Sequence, residues 1–251
     1  MFRIIIVLPF VTIISVLISC SSQPTNNKID SYYFPIKPGS AEWANFRSHA
    51  EMLEVCQVPE SILKTMSTEG LVETVLNYPL RIDTFAYNDP QTGFDAVATQ
   101  FNGIKELLNR EDAATELLAQ YKTLDLSVAN KDWEPKDRGE YTLGTVAFTE
   151  ILMAQYEIIN KMTEIERINV LSEAIKKNDE KHKFAEFYGQ SGQAYTIWIM
   201  ARVLKSENYA PFIQMVEEND NFQWFLSNCL WGTTDLMNAI ISIAQEYLSQ
   251  T

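Results

Sequence analysis

From residue 40 onward, apolar side chains recur three and four positions apart and almost never alternate at period two, the pattern of helices that bury one face. An all-α fold is predicted. Ser40 heads a first helix with Trp43, Phe46, Ala50 and Leu53 facing inward. Pro59 suits the first turn of a short helix reaching Met66, where its missing N–H has no intrahelical partner. Ser67 or Thr68 caps a third helix with Leu71, Val75 and Tyr78 inside, and Pro79 ends or kinks it. Segments 80–86, 90–101, 104–109 and 112–124 follow. After a polar stretch come 142–162, 164–177, 191–205, 209–218, 222–230 and 233–249. Short joints between many helices predict antiparallel neighbours in an α/α layered or solenoid-like array.

No repeat of 30 to 45 residues emerges, which argues against a tetratricopeptide or ankyrin array. The nearest internal likeness sets Tyr87-Asn88-Asp89-Pro90 beside Tyr188-Gly189-Gln190-Ser191, two polar turns that each lead into a helix. The polar interruption at 125–140 contains Asn130, Asp132, Pro135 and Gly139. It reads as a surface loop within one domain at 40–251, because a body ending before it would have a thin core.

The amino end follows a different pattern. Arg3 precedes an apolar run from Ile4 to Ile18, too short for the roughly 20 residues that cross a bilayer, and polar residues follow it. The run closes on Leu17-Ile18-Ser19-Cys20, which resembles the lipobox of bacterial lipoproteins. That resemblance implies a signal peptide at 1–19, diacylglyceryl attachment to the Cys20 sulfur, cleavage after Ser19 and acylation of the new amino end. A thiol suits the first step because it ionises far more readily than a hydroxyl. Two or three acyl chains on one residue hold a protein stably at a membrane. Residue 21 is Ser rather than the aspartate that retains such proteins at the inner membrane, so the resemblance favours the outer membrane of a cell envelope. Residues 20–39 read as a tether. If flexible, the 19 residues after Cys20 span about 24 Å. The cluster of Tyr32, Tyr33, Phe34 and Ile36 predicts order from Tyr32 onward.

Composition narrows the partners. Without residues 1–19 the chain carries 19 basic and 33 acidic side chains, a net charge of −14. Nucleic acid is a poor partner for such a surface, and anionic headgroups repel it, so lipid rather than basic side chains must supply the attachment. Cys56 and Cys229 lie on apolar helical stripes. Two separate buried thiols are the favoured reading, with a Cys56–Cys229 disulfide as the alternative in an oxidising compartment.

Little in the sequence specifies a reaction. His49 and His182 stand apart from any paired-ligand spacing, so no metal or other cofactor is predicted. His182 sits in the charged run Asp179-Glu180-Lys181-His182-Lys183, read as solvated surface. Glu217-Glu218-Asn219-Asp220-Asn221 lacks the interleaving and glycine of a calcium loop, and Asp220 is expected to cap a helix. Glu150 and Glu157 would share one helix face about 10.5 Å apart, a spacing that suits an inverting glycan hydrolase, although any acidic helix offers such pairs. For recognition, 77–102 mixes Tyr78, Tyr87, Asn88 and Asp89 with other aromatic and amide residues. Such a palette can stack on and hydrogen-bond a glycan or a peptide.

The runs CQVPESIL, MSTEGLVETVLNYPL, FAYNDPQTGFDAV and FNGIKELLNREDA, within 56–121, resemble secreted bacterial helical proteins. That resemblance implies a defined helical module and no particular activity. The sequence as a whole points to a lipid-anchored envelope protein acting as an interaction, scaffold or ligand-binding module for a protein or glycan partner, with an envelope hydrolase acting on glycan or cell wall through paired carboxylates as the alternative.

Overall fold

A computed structural model of the chain describes residues 30–129, 132–230 and 232–251. Cys20 and the rest of the amino-terminal signal lie outside the described residues. Among the described residues the fold is all α, with no strand. The helices are α1 (His49–Val55), α2 (Glu60–Leu63), α3 (Thr68–Leu76), α4 (Pro90–Gln100), α5 (Asn102–Asn109), α6 (Ala113–Thr123) and α7 (Pro135–Gly139). They continue with α8 (Phe148–Met153), α9 (Tyr156–Ile159), α10 (Glu164–Lys183), α11 (Ala185–Ser206), α12 (Ala210–Glu218), α13 (Asp220–Asn228) and α14 (Thr234–Gln250).

Local chemistry sets many of these ends. Ser48, Ser67, Asp89 and Thr233 accept hydrogen bonds from the first turns of α1, α3, α4 and α14. Thr163 and Glu166 form a reciprocal capping box at the start of α10. Two ends depart from the sequence-based expectation. Ser40 heads only a 3₁₀ turn at Trp43–Asn45, and Asn219 rather than Asp220 caps α13. Segment 142–162 is also not one helix. A π-helical stretch at Glu140–Ala147 runs into α8, which stops before Gln155, and α9 restarts beyond it. Arg81 holds the π-helical stretch by donating to the Gly144 carbonyl at 2.8 Å and pairing with Glu140.

One contiguous apolar core joins all of this. Helices α3 to α6 pack around an aromatic centre in which Tyr78 and Phe101 stack at 3.9 Å. Phe34, 1 % exposed, sits beside both rings, and the backbone N–H of Tyr32 donates to Thr74 Oγ1 at 2.8 Å. The segment expected to be ordered from Tyr32 is therefore part of the body. Burying a ring the size of Phe34 contributes about 1.5–3 kcal/mol.

Helices α10 and α11 form an antiparallel hairpin, with Lys181 against Gly192 near the turn and Arg167 against Glu207 at the far end. Helix α14 lies along this hairpin, while α8 and α9 join it to α6. Arg202 of α11 ties three neighbours together. Its guanidinium donates to the carbonyls of Ala154, Leu226 and Ser227 and to Gln91 Oε1, and it lies 3.9 Å from the Trp198 ring centre. Burial lowers its pKa to about 10, which leaves it charged at neutral pH.

Candidate functional site

The site begins with a break in α11. Gly189 has φ 58° and ψ −173°, a conformation open almost only to glycine, so the chain turns there and restarts as a helix at Gln190. Beneath this kink, the ammonium of Lys181 donates to the Gly192 carbonyl (2.7 Å), to Thr196 Oγ1 (2.8 Å) and to Glu150. Glu150 also accepts from the hydroxyls of Thr196 (2.8 Å) and Tyr121 (3.2 Å). Lys181 and Glu150 are both fully buried. All three ammonium hydrogens have acceptors, so the cluster fixes α11 in register against α8 and α10.

A second turn meets the kink from the other side. The 3₁₀ segment Arg81–Ala86 leads through Tyr87 and Asn88 to Asp89, whose carboxylate caps α4 by accepting from Thr92 N (2.8 Å) and Thr92 Oγ1 (2.7 Å). Gly93 permits close approach here, since a Cβ at that position would sit 1.9 Å from the Thr84 carbonyl oxygen. Phe85 reaches Tyr195 of α11, with ring centres 6.1 Å apart.

Three adjoining hollows follow the kinked start of α11. The first, about 320 Å³, lies over Gly189, Gln190 and Gln193 and is bounded by His182 and by Thr234 and Asn238 of α14. The second, about 280 Å³, shares Gln190 with the first and reaches Ser191, Tyr195 and Cys229. The third, about 330 Å³, shares Pro90, Ser191 and Tyr195 with the second and is walled by Tyr87, Asn88 and Leu143. Together they make a groove whose apolar wall at one end is Tyr87, 43 % exposed, and Leu143, 40 % exposed. Among the described residues, the side chains of Asn88, Ser191 and Asn238 have no hydrogen-bond partner. Gln190 Nε2 donates to the Gly232 carbonyl at 3.0 Å, and Gln193 lies 3.3 Å from His182 Nδ1. The groove therefore offers amides, hydroxyls and an aromatic face, with little charge.

Burial keeps two of its titratable neighbours neutral. Burial pushes the Tyr195 hydroxyl up to about 12 and holds the Cys229 thiol protonated.

Of the four residues proposed for recognition, Tyr87, Asn88 and Asp89 line this groove. Tyr78 does not. It is fully buried because it continues the inward stripe of α3, and burial together with nearby Cys56 and Asp83 raises its hydroxyl. Cys56 and Cys229 follow the favoured reading of two separate buried thiols and not the alternative disulfide. Both are free thiols in separate surroundings, Cys56 near Asp83 and Cys229 near Arg202 and Glu150. Burial pushes the Cys56 thiol up to about 11, with Asp83 adding to the rise, so the His49–Asp83 pair at 2.7 Å does not activate it. Glu150 and Glu157 do not face one another across a cleft. Glu150 is buried against Lys181, and Glu157 is exposed on α9, beyond the break.

Lys181 was missed because its charged run reads as solvent-facing. The signal lay in spacing, since Val170, Ala174, Lys177 and Lys181 fall on one helical face and all four are buried. Among the described residues no group of three or more His, Cys, Asp or Glu could hold a metal ion, and no helix is long and apolar enough to cross a membrane. Comparison with protein-family models, curated proteins and solved structures finds no match.

Proposed function

We propose that this protein is a binding module of the bacterial cell envelope, held to the membrane by lipid on Cys20, with the groove along the start of α11 as its ligand site. The observation that carries this reading is the meeting of two separate polar turns, Tyr87–Asn88–Asp89 and Gly189–Gln190–Ser191, in one groove whose polar side chains are partly unengaged. A rigid floor with adaptable polar groups above it suits recognition, because little ordering entropy is then lost on binding. The paired-carboxylate hydrolase draws no support from the geometry, since Glu150 is already neutralised by Lys181.

Two measurements test the proposal. Mass spectrometry of the native protein should find a diacylglyceryl-modified amino-terminal Cys20, and an unmodified thiol there or a retained Met1 would overturn the assigned location. A combined glycan and peptide array probed with the full chain should give binders that Tyr87→Ala and Gln190→Ala both weaken. Binders insensitive to both changes would remove the groove from the account.

A further inference from the structure

We infer that the groove takes an uncharged oligosaccharide; this rests on the groove being the ligand site. Charge on the lining points this way first. Charged residues make up 21% of the chain, yet among the described lining residues of the three hollows Asp89 is the one Asp, Glu, Lys or Arg. Both oxygens of Asp89 are already engaged by Thr92. A phosphate, sulfate or carboxylate on the ligand would meet no lysine or arginine there, and a chain of net charge −13 repels anions at longer range. A cationic ligand would find its one carboxylate committed to capping α4. Burying an unpaired ligand charge is costly, so the groove selects neutral molecules.

The polar groups then select among neutral ligands. Asn88, Gln190, Gln193 and Asn238 carry both donors and acceptors, and Ser191 and Thr234 add hydroxyls that serve as either. Sugar hydroxyls also donate and accept, and they spread around a ring whose C–H face is apolar. The exposed ring of Tyr87 beside Leu143 provides a matching apolar wall at one end of the groove. A peptide strand would need a sheet edge to extend, and among the described residues there is none. An amphipathic helix would need a continuous apolar trough, whereas amides interrupt this groove along its length. Three adjoining hollows suit several sugar units in a row rather than one.

The test is calorimetric titration of the full chain in detergent with neutral hexasaccharides (maltohexaose, cellohexaose and chitohexaose), with a chitosan hexamer and an oligogalacturonate hexamer as cationic and anionic probes, and with a neutral nonapeptide. The expected result is binding of at least one neutral hexamer, at least tenfold tighter than either charged hexamer and little changed by salt. Tyr87→Ala should weaken it about tenfold, the effect of losing one aromatic contact, with an unchanged thermal midpoint. A charged hexamer or the peptide binding more tightly, in a manner sensitive to Tyr87→Ala, would overturn the ligand class and leave the groove standing. Absence of binding by every probe, or binding insensitive to both Tyr87→Ala and Gln190→Ala, would overturn the class and the groove together.

Discussion

The bundle of α3 to α6 and the hairpin of α10 and α11 fill their interiors with different chemistry. The first is centred on Phe34, Tyr78 and Phe101, and it leaves the hydroxyls of Tyr78 and Thr84 buried without a partner. The second buries Glu150, Lys177, Lys181 and Arg202, each held by hydrogen bonds to neighbouring side chains or carbonyls, and leaves only the Asn178 Oδ1 on α10 unpartnered among its described buried side chains. Apolar packing is tolerant of small shifts, whereas a saturated ammonium fixes direction and distance. The groove lies over the second kind of interior. Its floor, Gly192 to Thr196, is the segment that Lys181 grips.

The largest expected effect is that of cutting this grip. Lys181→Met should cost about 3–5 kcal/mol in urea unfolding, because Glu150 is left buried and uncompensated. Adding Glu150→Leu should recover most of that loss, which would show the damage to be the orphaned charge and not the lost packing. A cost below about 1 kcal/mol for the single change would erase the contrast between the two interiors.

A smaller and sharper comparison sets a hydroxyl bonded to the charged cluster, that of Tyr121 on α6, against one at the aromatic centre. Tyr121→Phe removes a hydroxyl that donates to Glu150 and should cost about 1.5–3 kcal/mol, as bonds to charged groups do. Tyr78→Phe removes a hydroxyl with no partner and should be neutral or slightly stabilising in the same thermal or urea melts. Equal costs would contradict the contrast between the charged cluster and the aromatic centre.

The smallest effect lies at the edge of the first region. Ser67 caps α3 and bonds the Asp30 carboxylate, and Ser67→Ala should cost about 1 kcal/mol at neutral pH. The Ser67 hydroxyl, followed by its backbone N–H, holds the Asp30 carboxyl below the ordinary aspartate range. A depressed carboxyl pKa stabilises the fold above the unfolded-state value, and the contribution fades as pH falls through the folded-state value. The difference between wild type and Ser67→Ala should therefore shrink in melts taken at pH 2 to 3.

Much of the first region was legible in the sequence. Ser67 announced a helix start that the fold keeps, because a cap needs only its own next turn, and α4 begins at Pro90 as its pattern predicts. The break at Gln155 was not legible. The stretch 146–155 is buried throughout, so no polar face interrupts its pattern, and the Gln155 side chain turns back to the Ile151 carbonyl. The likeness between the turns at Tyr87 and Tyr188 could be seen, and both lead into helices as expected. That they lead into the same groove depends on tertiary packing, carried by Phe85 against Tyr195 and by Lys181 under the kink. Tyr78 was offered for recognition on its residue type, although the helical stripe of Leu71 and Val75 already placed it inside, where it is buried.

The most direct test of a ligand groove standing on a charge-saturated floor is backbone hydrogen exchange of the full chain, with and without a saturating neutral hexasaccharide. The account predicts slowed exchange confined to 84–90, 189–195 and 232–238, with that protection lost in Tyr87→Ala. Protection elsewhere in the chain, or none at these segments, would contradict it.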